Sequence, residues 1–162
     1  MGRTLRTGLQ PRDALRNFRE MPRPKNALII DDEAHVRVLL RVLLKQLGVE
    51  LVWEAADGSA AIEQAQAHKP DVILLDINLP QIGGLEVLAK LKAAHPTIPV
   101  IVVSSQSTMK TVMQARELGA DTYVLKHAPK SEVLQMLSDA FDNIAESTGA
   151  PEAAGDKPAA PS

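Results

Sequence analysis

The feature that most constrains the fold of this chain is a regular alternation of two hydrophobic patterns along residues 27–144. Short aliphatic runs, typical of buried strands, alternate with segments whose apolar residues recur every three or four positions, which is typical of helices. The predicted strands are residues 27–30, 50–55, 71–75, 98–103 and 122–125. The predicted helices are residues 33–47, 59–67, 85–94, 110–118 and 131–144. The pattern therefore predicts five consecutive strand–helix repeats.

Strands that alternate with helices pair in parallel through right-handed crossovers, and near-continuous Ile, Val and Leu runs are typical of strands buried on both faces. A closed eight-fold barrel needs about 250 residues, more than the 162 of this chain. The predicted fold class is α/β, a five-stranded parallel doubly wound sheet in a flavodoxin-like (βα)5 sandwich. Gly48 and Gly119 are predicted to end the first and fourth helices, and Ser131 to cap the start of the last.

Charge divides the chain into unlike parts. Residues 1–25 contain seven Lys or Arg and two acidic residues, whereas the remainder has a net charge of −7. Residues 1–24 are predicted to be a basic, disordered extension, with a start at Met21 as the alternative. Residues 25–146 are predicted to form the folded domain, and 147–162, rich in Ala and Pro, a flexible tail.

Composition excludes several classes of function. The absence of cysteine excludes disulfides, thiolate nucleophiles and Cys-ligated metals, and it favours a cytoplasmic location. No apolar run approaches the roughly 18 residues of a membrane span, so no membrane association is expected. Aromatic residues make up only 2% of the chain, and the folded part is acidic, so direct DNA binding is not expected. Neither a P-loop nor a dinucleotide fingerprint occurs.

Polar residues follow the predicted strands. Asp31 and Asp32 follow the first, Asp76 the third, Ser104 and Ser105 the fourth, and Lys126 the fifth. Each alone has an ordinary explanation as a cap, a turn residue or a solvated side chain. The carboxyl ends of parallel strands share one edge of the sheet, however, so together these residues predict a site.

The chemistry of such a cluster indicates a divalent cation. Two carboxylates about 4 Å apart repel by roughly 4 kcal/mol at an effective dielectric constant near 20. Three of them therefore need more than one ammonium group, and hard carboxylate oxygens suit Mg²⁺ or Mn²⁺. A carboxylate, a cation, a Lys and a hydroxyl together are suited to handling a phosphoryl group, with the carboxylate as nucleophile.

Five motifs of this sequence resemble the receiver domain of two-component response regulators. They are Ile-Ile-Asp31-Asp32-Glu, Leu-Leu-Asp76-Ile-Asn-Leu-Pro80, Gly83-Gly84, Val-Val-Ser104-Ser105, and Tyr123-Val-Leu-Lys126, in that order along residues 25–146. The resemblance implies that Asp76 accepts a phosphoryl group. It also implies that Mg²⁺ is the cofactor.

The same resemblance assigns the remaining roles. Mg²⁺ would be held by Asp32 directly, by Asp31 through water, by Asp76, and by the backbone carbonyl of Asn78. Ser104 would hydrogen-bond the phosphoryl oxygens. Lys126 would pair with those oxygens, and Tyr123, with Ser104, would act as the switch.

The resemblance implies a signalling protein rather than an enzyme. The donor would be a histidine kinase or histidine phosphotransfer protein, and the output would be binding to a downstream protein, with a phosphorylation-dependent homodimer left open. One alternative is a Mg²⁺-dependent phosphatase of the haloacid-dehalogenase type, which needs an acid two residues after the nucleophile, where this chain has Asn78. Another is a degenerate receiver that only binds protein.

Two residues depart from the family pattern. His127 stands where many receivers have a cis proline, so a trans bond is expected there. Gly83 replaces an acid on the solvent side of the third motif. The stretch from Leu118 to Ala128 resembles receivers that precede a helix-turn-helix domain, but the few residues after the last predicted helix leave no room for one in this sequence.

Overall fold

The computed structural model describes residues 23–105 and 108–148. The predicted extension before residue 23 and the predicted tail after residue 148 lie outside them. Contacts divide the chain into two units, of which Pro24–Phe141 contains the sheet and the site. In the other unit the described residues are Arg23 and 142–148, where Arg23 Nη2 lies 3.2 Å from Asp142 Oδ1.

All ten predicted elements are present. The strands are β1 Asn26–Ile30, β2 Leu51–Ala55, β3 Val72–Leu75, β4 Val100–Ser104 and β5 Thr122–Leu125. The helices are α1 Ala34–Gln46, α2 Gly58–His68, α3 Gly84–Ala94, α4 Met109–Glu117 and α5 Lys130–Thr148. Their bounds differ from the predicted ones by a few residues, as expected where helix ends are set by caps rather than by periodicity.

The five strands form one parallel sheet in the order β2-β1-β3-β4-β5. This is the flavodoxin-like arrangement that the sequence predicted. The strand order reverses between β1 and β3, where the chain leaves the two strands toward opposite faces and opens a crevice at their carboxyl ends. Ile30 pairs with Leu75 in that register, so the residues that follow them lie side by side.

Aliphatic side chains fill the core on both faces of the sheet. Every residue of β3 and β4 is buried, as is β1 after its first residue. Helix α1 buries Val36, Leu40, Leu43 and Leu44, the stripe that its periodicity predicted. Because β1, β3 and β4 are the inner strands, their ends are flanked by other strands on both sides.

The helix ends test three predictions. Gly48 and Gly119 have positive φ angles of 96° and 105°, which glycine adopts readily, and each follows a helix as predicted. The prediction that Ser131 caps α5 is wrong, because the helix begins one residue earlier, at Lys130. The carbonyl of Pro129 accepts the first hydrogen bonds, from the backbone N–H groups of Glu132 and Val133, so proline rather than serine precedes the first turn.

Candidate functional site

The predicted site residues meet at the carboxyl edge of the sheet, in the crevice between β1 and β3. Asp31 and Asp76 follow these two strands, and each is only 1% exposed. Ser104 ends β4 and is fully buried, while Lys126 follows β5 and is also buried. Buried carboxylates and a buried ammonium are costly unless they are paired, so this edge is not an ordinary surface.

Lys126 is the centre of the cluster. Its Nζ lies 2.9 Å from Oδ2 of Asp31, 2.9 Å from Oδ2 of Asp76 and 2.9 Å from Oε1 of Glu33. The sequence predicted that Asp31, Asp76 and Lys126 meet at this edge of the sheet. The sequence predicts no role in the site for Glu33, because this residue does not directly follow an apolar strand. The signal that could have found it is its position directly after the acidic pair, at the first residue before a helix.

The protonation equilibria of the cluster reflect this crowding. Burial raises the pKa of Asp31, and the neighbouring Asp76 carboxylate adds to the rise, while the Glu33 backbone N–H and Lys126 partly offset it. For Lys126, burial opposes the charged form, but hydrogen bonds to Glu33, Asp31 and Asp76 outweigh burial and raise its pKa. Lys126 is therefore firmly protonated, and the pocket still has more negative than positive charge.

Two short turns aim the buried carboxylates. Oδ1 of Asp31 accepts a hydrogen bond from the backbone N–H of Glu33 at 2.8 Å, and Oδ1 of Asp76 accepts one from the backbone N–H of Asn78 at 3.0 Å. Each turn fixes one carboxylate oxygen and directs the other toward Lys126. The sequence could not reveal these bonds, because they depend on how the chain bends after each strand.

Gly84 allows the loop after β3 to close tightly. Its backbone N–H donates to the carbonyl of Ile77 at 2.8 Å. A Cβ at this position would lie 2.5 Å from the carbonyl oxygens of Asp76 and Ile77, closer than real Cβ atoms approach. The residue matters here for space rather than for an unusual φ angle, and it brings the start of α3 against the acidic loop.

Asp31, Asp32 and Asp76 form a cluster in which one carboxylate oxygen from each residue lies within 4.8 Å of the other two. Asp32 is exposed, so the cluster opens to solvent on its side. These are hard oxygen donors on a pocket with excess negative charge, and both properties fit a divalent cation such as Mg²⁺. The three residues could hold such an ion. The contribution of the Asn78 carbonyl remains a prediction.

Ser104 and Tyr123 are in contact across β4 and β5. Their side chains are hydrogen-bonded, and Tyr123 is half-buried. Burial raises the pKa of the Tyr123 phenol, Asp76 also raises it, and the hydrogen bond with Ser104 works in the opposite direction. The sequence predicted that these two residues act together, and the structure places them together.

A second ion-pair network contacts the site at the backbone of Asp31, and the sequence did not predict it. Arg37 of α1 donates from Nε to Oε1 of Glu54 at 2.9 Å and from Nη1 to the backbone carbonyl of Asp31 at 2.7 Å. Arg41 donates to Oε2 of Glu54. No pattern within α1 or β2 distinguishes these residues from solvated charges, since their partnership depends on pairing β2 beside β1.

Among the described residues no peptide bond is cis, so the bond between Lys126 and His127 is trans as expected. No helix in the described part of the chain is long and apolar enough to cross a membrane.

A parallel sheet ordered 2-1-3-4-5, with three acids and a lysine in its crevice, defines an α/β receiver-type domain. Residues 27–138 match the family described as the response regulator receiver domain. The chain belongs to this family and is a receiver domain of two-component signalling.

Curated relatives include two kinds of regulator. The chemotaxis protein CheY of Thermotoga maritima is 30% identical over 114 residues, covering 70% of this chain and 95% of the relative. The transcriptional regulatory protein PdtaR of Mycobacterium tuberculosis is 33% identical over 125 residues, covering 77% of this chain. The chain spans about 60% of the length of PdtaR.

Solved structures agree with the fold. The receiver domain of the regulator NarL from Mycobacterium tuberculosis is 32% identical with a TM-score of 0.64, covering 73% of this chain and 96% of that one. The complex of CheX with CheY, BeF3 and Mg²⁺ from Borrelia burgdorferi is 27% identical with a TM-score of 0.67, covering 72% of this chain and 88% of the matched one. Both likenesses extend over the sheet and its helices.

Proposed function

We propose that this protein is the phospho-acceptor of a two-component phosphorelay and that Asp76 is the acceptor. The observation that carries the proposal is the placement of Asp76, a carboxylate 1% exposed at the end of β3, 2.9 Å from Lys126 and within 4.8 Å of two further acids. A buried nucleophile with an ammonium on one side and a cation-binding set on the other is suited to phosphoryl transfer.

In the proposed reaction a carboxylate oxygen of Asp76 attacks the phosphorus of a phosphohistidine. The new bond is an acyl phosphate, the phosphorus–nitrogen bond breaks, and the imidazole nitrogen leaves with the electron pair and then takes up a proton. The donor is accordingly a histidine kinase or a histidine phosphotransfer protein. Because the transferred group brings roughly −2 of charge into an acidic pocket, the cations around Asp76 decide whether the step can occur.

Asp31, Asp32, Asp76 and the backbone carbonyl of Asn78 would hold Mg²⁺, which when bound neutralises charge on the phosphoryl oxygens. The chain's own residues then divide the remaining work. Lys126, kept protonated by its carboxylate neighbours, pairs with a phosphoryl oxygen. Ser104, fully buried beside the pocket, donates its hydroxyl to another.

The output is binding to a downstream protein. Tyr123 is hydrogen-bonded to Ser104, so movement of the Ser104 hydroxyl toward a phosphoryl group would alter the position of the phenol. Exposed apolar side chains lie nearby on α4 and β5, including Met109, Met113 and Leu125. The printed description of the Borrelia CheY complex, with CheX, BeF3 and Mg²⁺, supports this kind of output by analogy.

Intact mass spectrometry tests the proposal. Acetyl phosphate with Mg²⁺ should add one phosphoryl group to the wild type, and Asp76→Asn should abolish the addition. Asp139→Asn, which removes an exposed carboxylate of α5, is the matched control and should be labelled normally. Labelling that persists in Asp76→Asn would place the acceptor elsewhere, and absence of labelling in the wild type would favour the degenerate receiver. Continuous turnover of a phosphomonoester would favour the phosphatase.

A further inference from the structure

Three carboxylates surround the Lys126 ammonium group. Nζ lies 2.9 Å from a carboxylate oxygen of each of Asp31, Glu33 and Asp76, and it donates hydrogen bonds to Glu33 and Asp76. A phosphoryl oxygen on Asp76 would therefore compete with the other two carboxylates for the Lys126 ammonium group.

The three carboxylates are not equally easy to displace. Asp31 and Asp76 are side chains at the ends of inner strands, each 1% exposed, and each has its other oxygen fixed by a backbone N–H. The Glu33 side chain is 42% exposed. Returning a buried carboxylate to water would require the loops to open, whereas Glu33 needs only to rotate.

Among the described residues, Lys126 is the hydrogen-bond partner of the Glu33 carboxylate, and His35 and His127 add weaker electrostatic attraction. Glu33 is the N-cap residue of α1, yet its side chain makes no capping hydrogen bond. The helix uses the backbone carbonyl of Glu33 instead, which accepts from the N–H groups of Val36 and Arg37. The side chain is thus free of a structural task in α1, and Lys126 is its recorded partner.

We infer that in the unphosphorylated protein Glu33 accepts a hydrogen bond that Lys126 would otherwise donate to a phosphoryl oxygen. Glu33 is displaced from Lys126 when Asp76 is phosphorylated. The inference rests on the proposed function of Asp76. Glu33 is then a positioning residue: it holds the ammonium group at the pocket while the pocket is empty of phosphate, and it competes with the phosphoryl oxygens afterwards.

The physical consequence is that Lys126 binds the phosphoryl group less tightly than it would without Glu33. An exposed carboxylate competes modestly, since exposed ion pairs contribute little to stability. Removing its charge should therefore raise the affinity for a phosphoryl mimic by about twofold to fivefold rather than by orders of magnitude.

Fluoroberyllate binding, followed by ¹⁹F NMR at saturating Mg²⁺, measures this effect without any phosphoryl turnover. Saturating Mg²⁺ is set separately for each variant, because loss of a negative charge also weakens cation binding. Glu33→Gln should bind fluoroberyllate about twofold to fivefold more tightly than the wild type. Glu33→Asp keeps the charge but is one methylene shorter, so it should show part of the gain.

Glu86→Gln is the control, because it removes an exposed charge from the first turn of α3, at the same edge of the sheet. Its affinity should equal that of the wild type. The inference would be overturned by unchanged affinity in Glu33→Gln. It would also be overturned by an equal gain in Glu86→Gln, or by a gain in Glu33→Gln with none in Glu33→Asp, because either result would assign the effect to charge alone. Failure of the wild type to bind fluoroberyllate would contradict the proposed function of Asp76 as well.

Discussion

Arg37 donates a hydrogen bond from Nη1 to the backbone carbonyl of Asp31 at 2.7 Å, and its Nε is held by Glu54 at 2.9 Å. The contact joins the outer strand β2 and helix α1 to the residue that begins the acidic loop. A charged donor on a backbone carbonyl is among the stronger hydrogen bonds in proteins. The position of Asp31 is therefore set partly by residues well outside the pocket.

Replacement of Arg37 should weaken cation binding. Arg37→Met keeps most of the apolar length but loses both hydrogen bonds, so the loop that contains Asp31 and Asp32 becomes less ordered. We expect about a fivefold loss of Mg²⁺ affinity, equivalent to about 1 kcal/mol, measured by isothermal titration calorimetry.

Arg41→Met is the matched control for that measurement. Arg41 also donates to Glu54 but does not reach Asp31, so its loss should lower stability to a similar extent and leave Mg²⁺ affinity nearly unchanged. Equal Mg²⁺ affinities in the two variants would show that Arg37 supports the fold and not the site.

Substitution of Gly84 should damage both the fold and the site. Alanine is the better helix former by about 1 kcal/mol, so propensity alone predicts a gain. The added Cβ would instead meet the carbonyl oxygens of Asp76 and Ile77 at 2.5 Å. We expect Gly84→Ala to lower the free energy of unfolding by about 1–3 kcal/mol and to weaken Mg²⁺ binding.

Gly83→Ala provides the comparison, because a Cβ there would meet nothing within 4 Å. Its free energy of unfolding in urea should stay within about 1 kcal/mol of the wild type. If Gly84→Ala were as stable as Gly83→Ala, the close approach of α3 to the acidic loop would not be a constraint.

Acid should remove the contribution of Glu54 to stability. Burial works to raise the pKa of Glu54, but hydrogen bonds from Arg41 and Arg37 outweigh it, and the pKa lies below its ordinary value of 4.5. A carboxylate with a lowered pKa stabilises the fold above its unfolded pKa, and this contribution is lost as pH falls through the folded value.

Glu54→Gln should therefore be less stable than the wild type by about 1 kcal/mol at neutral pH. The difference should shrink as pH falls below 4.5. Urea unfolding between about pH 3.5 and pH 7 measures it, with Glu63→Gln, on the exposed side of α2, as a control that should follow the wild type. A difference independent of pH would mean that the ion pairs do not stabilise the fold.

A phosphoryl mimic should change the surroundings of Tyr123. In this structure the Tyr123 and Ser104 side chains are hydrogen-bonded. When the Ser104 hydroxyl turns toward a phosphoryl group it exchanges one hydrogen bond for a charge-assisted one, which is sufficient to shift a population between two states. Fluoroberyllate with Mg²⁺ should therefore change the NMR chemical shifts of Tyr123 and of residues 109–116.

Ser104→Ala should weaken the coupling between the phosphoryl site and Tyr123. The loops of Asp32 and Asp76 should still respond to fluoroberyllate, while Tyr123 and α4 should respond less. The idea is wrong if the wild-type response is confined to those two loops, or if Ser104→Ala responds as fully as the wild type.

The architecture and most residues of the candidate site could be predicted from the amino-acid sequence. Short buried aliphatic runs such as Val72–Leu75, bounded by turn residues, indicate inner strands. The helical stripe from Val36 to Leu44 indicates the face of α1 that packs on them, because burial leaves a periodic pattern in the sequence. Parallel strands place their carboxyl ends at one edge, so Asp31, Asp76 and Lys126 could be brought together without coordinates.

Several contacts of the site depend on the packed fold, and no local sequence pattern predicts them. The bonds from Arg37 and Arg41 to Glu54 exist because β2 pairs beside β1 and places Glu54 next to α1, a consequence of strand order. The contact between Glu33 and Lys126 joins residues 93 positions apart in the chain. Hydrophobic periodicity reports only whether a side chain faces the core, whereas the pairing of charges depends on distances of a few ångströms that only the packed sheet and its loops define.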